Sequence, residues 1–260
     1  MVCIANYVLY EDLAAMGITN QPKRCLYIIG APPSRGGPAR ADARYLEFNS
    51  LYFGQTELDR HFFVSKFKDP VTLENVEREI FPDLTFLPLP IDVDLPATTP
   101  NVDELVIAQA MSAGVMTGVS GKGFYYIERA QNQLSFDIDL IFGVSREECL
   151  DRKCSASLVY DNNMGNIGVS GLESMAQGMP VIGRFSPIIK ENWERLSGGV
   201  EFPIISFNDQ DGLNNLLEPY MLDTSQLTAI GSASRDWMQT YATGENIANY
   251  WCNTIQEKIP

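Results

Sequence analysis

A glycine-rich stretch with one lysine is the first segment whose residue types could do chemistry. It spans residues 114–123, GVMTGVSGKG, and follows a buried strand predicted from the apolar run Leu105–Ala110. Backbone N–H groups can approach an anion closely where side chains are absent, and Lys122, between Gly121 and Gly123, adds a positive charge. The stretch lacks the glycine spacing and the following Ser or Thr of a P-loop. It predicts a diphosphate site, and a solvated surface loop is the alternative.

A second segment carries a single carboxylate near the start of a predicted helix. It is YDNNMGNIGVSGLESMAQGMPVIG, residues 160–183, with a polar loop followed by a helix predicted over Gly171–Gln177. Glu173 on that helix could accept hydrogen bonds from both hydroxyls of a ribose while the loop N–H groups face phosphate. The residues expected to contact a ligand that contains ribose and phosphate are Met164, Gly165, Asn166, Gly168, Val169 and Ser170. The alternative is that Glu173 only complements the helix dipole.

A third segment follows the strand that is predicted at 136–142. In FGVSREE, residues 142–148, the backbone at Phe142 and Val144 could recognise the edge of a nucleotide base. Ser145 with Glu148 three residues later forms a capping box, which predicts that a helix begins there. An ordinary capped loop is the alternative.

Other catalytic chemistries find little support. Ser170 lies in Gly-Val-Ser-Gly-Leu, and Leu172 stands where a nucleophile elbow needs its second glycine. A Ser-His-Asp triad would have to use His61, the single histidine. The five cysteines are scattered and far from other ligand types, so no metal site is predicted.

Composition narrows the range of partners. The 260-residue chain carries 19 Lys and Arg against 33 Asp and Glu, a formal net charge of -14. This balance disfavours a generic nucleic-acid-binding surface, although a basic cluster at residues 23–44 leaves DNA contact open. No apolar run reaches the about 20 residues that cross a bilayer, and the start lacks a basic leader region. Together with the expected free thiols, these features predict a cytoplasmic protein without a transmembrane segment.

The distribution of prolines and of strand patterns predicts an α/β fold with two domains. The segment at 86–105 contains four prolines and cannot be helical, and we place a boundary in it between domains 1–93 and 94–260. In the first domain, a helix is predicted at 7–16 and strands at 25–29, 61–67 and 84–89. In the second, strands are predicted at 105–110, 136–142, 156–160 and 180–183. Helices of about ten residues alternate with these strands, which is typical of βαβ units on a parallel sheet.

The second segment also resembles a known family. GVSGLESMAQGMPVIG, residues 168–183, looks like the donor-site signature of retaining nucleotide-sugar glycosyltransferases of the GT-B type, the group 1 glycosyltransferases. That signature is roughly G-x-x-x-x-E-A-M-A-x-G-x-P-V-I, and this chain matches it at Gly168, Glu173, Met175, Ala176, Gly178, Pro180, Val181 and Ile182. Lys122-Gly123 falls where the family has a Lys-Gly that contacts the donor diphosphate, and LIFGVSREE resembles its strand and loop at the base. The resemblance extends over residues 84–258.

The resemblance implies a Rossmann-like C-terminal donor domain at 94–260 and a smaller, truncated α/β domain at 1–93 on the acceptor side. It implies metal-independent transfer of a hexosyl or pentosyl group from a nucleoside-diphosphate sugar, a co-substrate such as a UDP-sugar, without another cofactor. Lys122 and the start of the helix near Gly168 would stabilise the leaving diphosphate, and Glu173 would fix the ribose. The last helix would pack back on the first domain. The acceptor, a saccharide, lipid or other molecule, would enter near Ser34, Arg35 and His61.

The chain departs from the family pattern at several places. Gly165 stands where many members carry a second glutamate, the arginine near the Lys-Gly is missing, and the N-terminal region is short. Two further functions therefore stay open. One is a bacteriophage-type glycosyltransferase acting on a modified DNA base, which the basic cluster at 23–44 favours and the net charge disfavours. The other is a non-catalytic nucleotide-sugar-binding protein.

Overall fold

The chain divides into two compact units in the computed structural model. One unit comprises Met1–Leu89 with Ala248–Pro260, and the other comprises Pro90–Ile247. The residues that the structure describes are 2–5, 25–28, 62–64, 84–88, 90–111, 123–163 and 165–258. The predicted boundary between residues 93 and 94 stays a prediction, as does the helix at 7–16, which lies outside the described residues.

The first unit contains a parallel sheet of four strands in the order β1-β2-β3-β4. The strands are β1 Val2–Ala5, β2 Cys25–Ile28, β3 Phe62–Val64 and β4 Leu84–Phe86. Three of them lie within the predicted strands, because each is a short apolar run rich in aromatic or β-branched residues. The sequence interpretation counted three strands and missed β1.

The second unit contains a parallel sheet of five strands in the order β6-β5-β7-β8-β9. The strands are β5 Val106–Ala110, β6 Asp137–Ile141, β7 Leu158–Tyr160, β8 Val181–Gly183 and β9 Ile205–Ser206. The first four confirm the predicted strands, and β9 was not predicted. The α/β class and the Rossmann-like character of this unit are confirmed.

Seven helices lie in the described part of the chain. They are α1 Phe124–Leu134, α2 Arg146–Cys154, α3 Val169–Gln177, α4 Pro187–Leu196, α5 Gln210–Leu222, α6 Ser225–Tyr241 and α7 Gly244–Lys258. The capping box is confirmed, since the Ser145 side chain accepts a hydrogen bond from the Glu148 N–H at 3.1 Å. Helices α4 and α5 were not predicted. None of the described helices is both long and apolar enough to cross a bilayer.

The core of the second unit lies against the middle of its sheet. Ile107, Leu158 and Ile182, from β5, β7 and β8, are fully buried. Trp193 of α4 stacks on Phe202 with ring centroids 5.3 Å apart. Full burial of side chains on the central strands is expected of a parallel sheet covered by helices.

Helix α7 begins in the second unit and ends in the first. Within the first unit, the indole N–H of Trp251 donates a hydrogen bond to the Pro88 carbonyl at 2.8 Å, directly after β4. The C-terminal part of this helix is therefore tied by at least one hydrogen bond to the segment that follows β4.

Candidate functional site

The strand order of the second sheet creates a crevice at the carboxyl ends of its central strands. Strand β5 pairs with β6 on one side and with β7 on the other, so the chain reverses direction across the sheet at β5. Ligands of open parallel sheets bind at such a reversal, where the loops diverge. Helix α1 follows β5 and α3 follows β7, so two helix N-termini begin at this crevice. The positive ends of both helix dipoles therefore favour an anion there.

Exposed apolar side chains concentrate at the same edge of the sheet. Six large apolar side chains of the described residues are exposed. Three of them come shortly after strand ends of this sheet: Tyr125 in the first turn of α1, Phe142 after β6 and Val169 at the start of α3. A contiguous patch of exposed apolar side chains can mark a ligand-binding surface. Phe142 is where the sequence predicts contact with a base.

A hydrogen bond joins the two sides of the crevice. The hydroxyl of Tyr160, at the end of β7, donates to the carbonyl of Gly123 at 3.2 Å, directly before α1. Gly123 has φ +76°, and a Cβ there would lie 2.4 Å from the Cγ of Asn163. Only glycine fits this position without displacing the β7 loop. The hydrogen bond and the close approach of Asn163 thus hold the start of α1 against the loop after β7.

Burial keeps the tyrosine hydroxyl of this contact protonated. Burial is the largest cause that raises the pKa of Tyr160, and the neighbouring Tyr125, Tyr126 and Asp161 raise it further. A phenol with a raised pKa stays a hydrogen-bond donor throughout the physiological range. The contact to Gly123 is therefore insensitive to pH in that range.

A buried carboxylate caps helix α3. Asp161 is 2% exposed, and its Oδ2 accepts hydrogen bonds from the Gly168 N–H at 2.6 Å and from the Asn162 side chain at 2.5 Å. Its Oδ1 is buried without a hydrogen-bond partner among the described residues. The carboxylate occupies part of the helix terminus that the sequence assigns to phosphate. The Gly168 N–H is therefore not available to an anion, and the N–H groups that follow it at the start of α3 are the ones left to this site.

The loop that precedes α3 is tied to the end of β8. The N–H of Arg184 donates to the Asn162 carbonyl at 2.9 Å, and the Gly165 N–H donates to the Arg184 carbonyl at 3.0 Å. The Ser186 N–H in turn donates to the Gly165 carbonyl at 2.9 Å. Gly165, which takes φ +76°, thus bridges the loops after β7 and β8.

Glu173 lies beyond the first turn of α3 and is ion-paired. The helix begins at Val169, two residues before the predicted start, because Gly168 is held as its N-cap by Asp161. Glu173 is 13% exposed, and its Oε1 accepts from Arg146 Nε at 2.9 Å and Nη2 at 2.8 Å. The helix dipole acts mainly within the first turn, so the ion pair with Arg146 accounts for Glu173 better than the dipole does.

The structure describes part of the predicted donor site. Glycines 165 and 168, Asn166, Val169 and Ser170 all lie in the β7–α3 loop or at the start of α3. The Ser170 hydroxyl is engaged by the buried Lys153, whose Nζ lies 3.2 Å away, so this serine faces α2 with its side chain. The half-buried Val144 and the exposed Phe142 follow β6. Six predicted site residues lie outside the described residues: Ser34, Arg35, His61, Gly121, Lys122 and Met164.

Sequence reasoning missed several polar residues at the carboxyl ends of these strands. Asp161, Asn162 and Asn163 come directly after β7, and Arg184 comes directly after β8. The signal was present, because polar residues at the carboxyl ends of buried parallel strands are the usual ligand contacts of this architecture. The partners of these residues depended on the strand order, which the sequence did not show.

Comparisons with known proteins give matches at the level of structure. No protein-family model and no curated protein sequence matches the chain. Sucrose-phosphate synthase from Thermosynechococcus elongatus matches with a TM-score of 0.57 at 12% identity, over 94% of this chain and 70% of that chain. HepE from Anabaena in complex with UDP-glucose matches with a TM-score of 0.60 at 12% identity, over 98% of this chain and 78% of the other. A glycosyltransferase from Rickettsia africae matches with a TM-score of 0.55 at 10% identity, over 96% of this chain and 79% of that chain.

These three structures are glycosyltransferases of the GT-B type, and the low identities agree with a divergent sequence. The matches run over nearly the whole chain and include both units. The chain therefore has the GT-B-type fold, with a Rossmann-like α/β second unit and a smaller α/β first unit.

Proposed function

We propose that this chain is a glycosyltransferase that binds a nucleoside-diphosphate sugar in the crevice between β5 and β7. The observation that carries the proposal is the convergence of two helix N-termini at the strand reversal, directly beside the signature glutamate Glu173. The fold shared with HepE, which was solved with UDP-glucose, supports the same kind of donor. The resemblance of residues 168–183 to the donor-site signature supports it independently.

Each part of the donor has a proposed contact. Gly121, Lys122, Gly123 and the first N–H groups of α3 would bind the diphosphate, and Glu173 would accept hydrogen bonds from the ribose. Oε1 of Glu173 faces Arg146, so its Oε2 is the oxygen that the proposal assigns to the two ribose hydroxyls. The exposed ring of Phe142 and the backbone at Val144 would contact the base.

The transfer step follows from this placement. The bond between the anomeric carbon and the diphosphate oxygen breaks, and its electron pair goes to the diphosphate. The acceptor hydroxyl oxygen forms the new glycosidic bond to that anomeric carbon and gives its proton to the departing diphosphate. Charge develops on the leaving diphosphate, so cations and oriented N–H groups are the catalytic requirement at this end of the sugar.

A ligand panel tests the proposal most directly. Thermal unfolding should be measured with UDP, GDP, ADP and TDP and with the glucose conjugate of each. A ligand at a hundred times its Kd should stabilise the protein by about 2.7 kcal/mol. Release of the diphosphate from the stabilising conjugate should then be assayed with candidate acceptors. Absence of stabilisation by every diphosphate would reject the donor site, and stabilisation without transfer or hydrolysis would indicate a binding protein.

Lys122→Ala should weaken binding of the nucleoside diphosphate by about 1 to 3 kcal/mol, because a charge-assisted contact in a partly dry crevice is lost. The free energy of unfolding should stay within about 0.5 kcal/mol of the wild-type value, as expected for a lysine in a predicted loop. Calorimetric titration with the diphosphate that stabilises the protein measures the affinity. Lys23→Ala, from the basic cluster at 23–44, is the matched control. Equal affinities of wild type and Lys122→Ala would remove the phosphate role.

Transfer activity should persist in excess EDTA. Asp137 and Asp139 form an Asp-x-Asp pair, but both lie inside β6, and Asp139 is ion-paired with Arg152. No group of three or more metal-ligating side chains occurs within the described part of the chain. We assign stabilisation of the diphosphate to Lys122 and the helix N-termini, as the family resemblance implies. Activity should be compared with and without EDTA, and a loss that manganese or magnesium restores would require a metal-bridged mechanism.

A further inference from the structure

The buried carboxylate of Asp161 lies against the first turn of α3. Its Oδ2 accepts the hydrogen bond from the Gly168 N–H at 2.6 Å. A Cβ on Gly168 would lie 3.0 Å from Oδ1, and a Cβ on Gly171 would lie 2.9 Å from the carboxyl carbon. The two glycines therefore leave the room that the carboxylate needs at the N-terminal turn of this helix.

One oxygen of this carboxylate has no hydrogen-bond partner within the described part of the chain. Oδ1 is buried and accepts no hydrogen bond there, whereas Oδ2 accepts two, from the Gly168 N–H and from the Asn162 side chain. Water screens a buried charge less than a surface charge. The carboxylate of Asp161 therefore acts on a neighbouring charged group more strongly than an exposed carboxylate would.

The first turn of α3 is also where the proposed donor places a phosphate. An anion there is attracted by the N–H groups that follow Gly168. A buried ammonium, that of Lys153 on α2, faces the same turn, since its Nζ lies 3.0 Å from the Ser170 carbonyl oxygen. The charge of Asp161 opposes these attractions, and its effect grows with the charge of the ligand. Asp161 therefore bears on how much negative charge the site accepts.

The donor and the product of the proposed reaction differ in charge at the terminal phosphate. In a nucleoside-diphosphate sugar this phosphate is esterified to the sugar, and the two phosphates carry about two negative charges together. The diphosphate leaves with the proton of the acceptor and then loses that proton to water, because its last ionisation occurs at about pH 6. The product therefore carries about three negative charges near neutral pH.

We propose that Asp161 is a specificity-determining residue that makes the site favour the intact sugar nucleotide over the nucleoside diphosphate that remains after transfer. The inference rests on the proposed function and adds to it a selection between substrate and product. Asp161 acts through its charge, without a contact to the ligand. Because it repels the product more than the donor, it also favours release of the diphosphate once the glycosidic bond has formed.

Three ligands separate the effect of charge from that of sugar contacts. They are UDP, the β-methyl ester of UDP and UDP-glucose, or the same series for the nucleotide that stabilises the protein. The methyl ester has the charge of the donor and lacks the sugar. Affinities should be measured calorimetrically at about pH 7.5, where the terminal phosphate of UDP is ionised.

The proteins are wild type, Asp161→Asn, Asp161→Ser and Asp209→Asn. Asparagine and serine remove the charge and keep a side-chain oxygen that can accept from the Gly168 N–H. Asp209 is the matched control, because it caps α5 in the same way, accepting from the Gly212 N–H at 2.8 Å, but is exposed.

The wild type should bind the methyl ester and UDP-glucose at least about threefold more tightly than UDP. In Asp161→Asn and Asp161→Ser, the affinity for UDP relative to the methyl ester should rise about threefold to thirtyfold. Asp209→Asn should keep the wild-type ratio within about twofold, because water screens an exposed charge. A merely structural role of Asp161 would weaken all three ligands alike. An unchanged ratio in a folded variant at position 161 would overturn the inference and leave the proposed function intact.

The wild type decides alone if both variants at position 161 unfold. Tighter binding of the methyl ester than of UDP would then support the inference, and tighter binding of UDP would overturn it. A wild-type protein that binds none of the four diphosphates and none of their glucose conjugates would overturn the proposed function and this inference together.

Discussion

Glu173→Gln should weaken binding of the sugar nucleotide by roughly 1 to 3 kcal/mol for each charged hydrogen bond that it loses. The substitution keeps the shape of the side chain and one acceptor oxygen but removes the charge. In the proposed site that charge strengthens contacts to two ribose hydroxyls. Calorimetric titration of wild type and variant measures the loss. Glu218→Gln is the control, since that glutamate is exposed on α5.

A 2′-deoxy donor turns this prediction into a coupling measurement. The wild type should bind the deoxy donor more weakly than the ribose donor, and Glu173→Gln should discriminate between them much less. The interaction free energy of this cycle isolates the contact between Glu173 and the 2′-hydroxyl. A coupling near zero would remove the ribose assignment and the strongest support for the proposed donor.

The ion pair with Arg146 requires one further variant. Arg146 is 57% exposed, so the pair should contribute at most about 1 kcal/mol to stability. Arg146→Gln removes the pair and leaves the charge of Glu173 in place. Ribose discrimination should survive in this variant if Glu173 contacts the hydroxyls directly. If Arg146→Gln loses the discrimination as completely as Glu173→Gln does, the charge pair and not the glutamate would be its source.

Gly231→Ala should destabilise the protein by about 1 to 3 kcal/mol or more. Gly231 is buried on α6, and a Cβ there would lie 2.1 Å from the carbonyl oxygen of Gly178, the C-cap of α3. Backbone atoms at a helix end cannot move aside cheaply. Because alanine is favoured over glycine in a helix by about 1 kcal/mol, the measured loss is a lower bound on the clash.

Urea unfolding measures this second prediction. Ser232→Ala, at the next and exposed position of α6, should shift the free energy of unfolding by no more than about 0.5 kcal/mol. Equal unfolding midpoints for Gly231→Ala and wild type would show that α3 and α6 can separate without cost. The comparison matters for the site, because α6 packs against the helix that carries Glu173.

The sequence allowed much of the second sheet to be predicted. Strands β5 to β8 are apolar runs between glycine, polar or capping residues, so periodicity and turn signals located them to within two residues. Strand β9 has two residues, too few to give a pattern. Helix α5 contains Pro219 near its end and two asparagines, which conceal its periodicity.

The candidate site was predictable in its segments and not in its contacts. The loop around Gly165 and the helix that carries Glu173 could be located because they follow a predicted strand. The cap from Asp161 to Gly168, the ion pair of Arg146 and the placement of Arg184 join residues from different βα units. Such contacts follow from strand order and register, and local patterns contain neither.

The pairing of β5 with β7 also has a consequence for folding kinetics. Among the described residues, one helix lies between β5 and β6, and one helix lies in each of the connections β7–β8 and β8–β9. By contrast, β6 and two helices lie between β5 and β7. Closing the longer segment costs more chain entropy, so we expect the two halves of the sheet to form first and the β5–β7 seam to close last. The proposed donor crevice lies where β5 and β7 pair. Ability to bind nucleotide should therefore appear only in the final phase of refolding, after most of the helical signal has been regained.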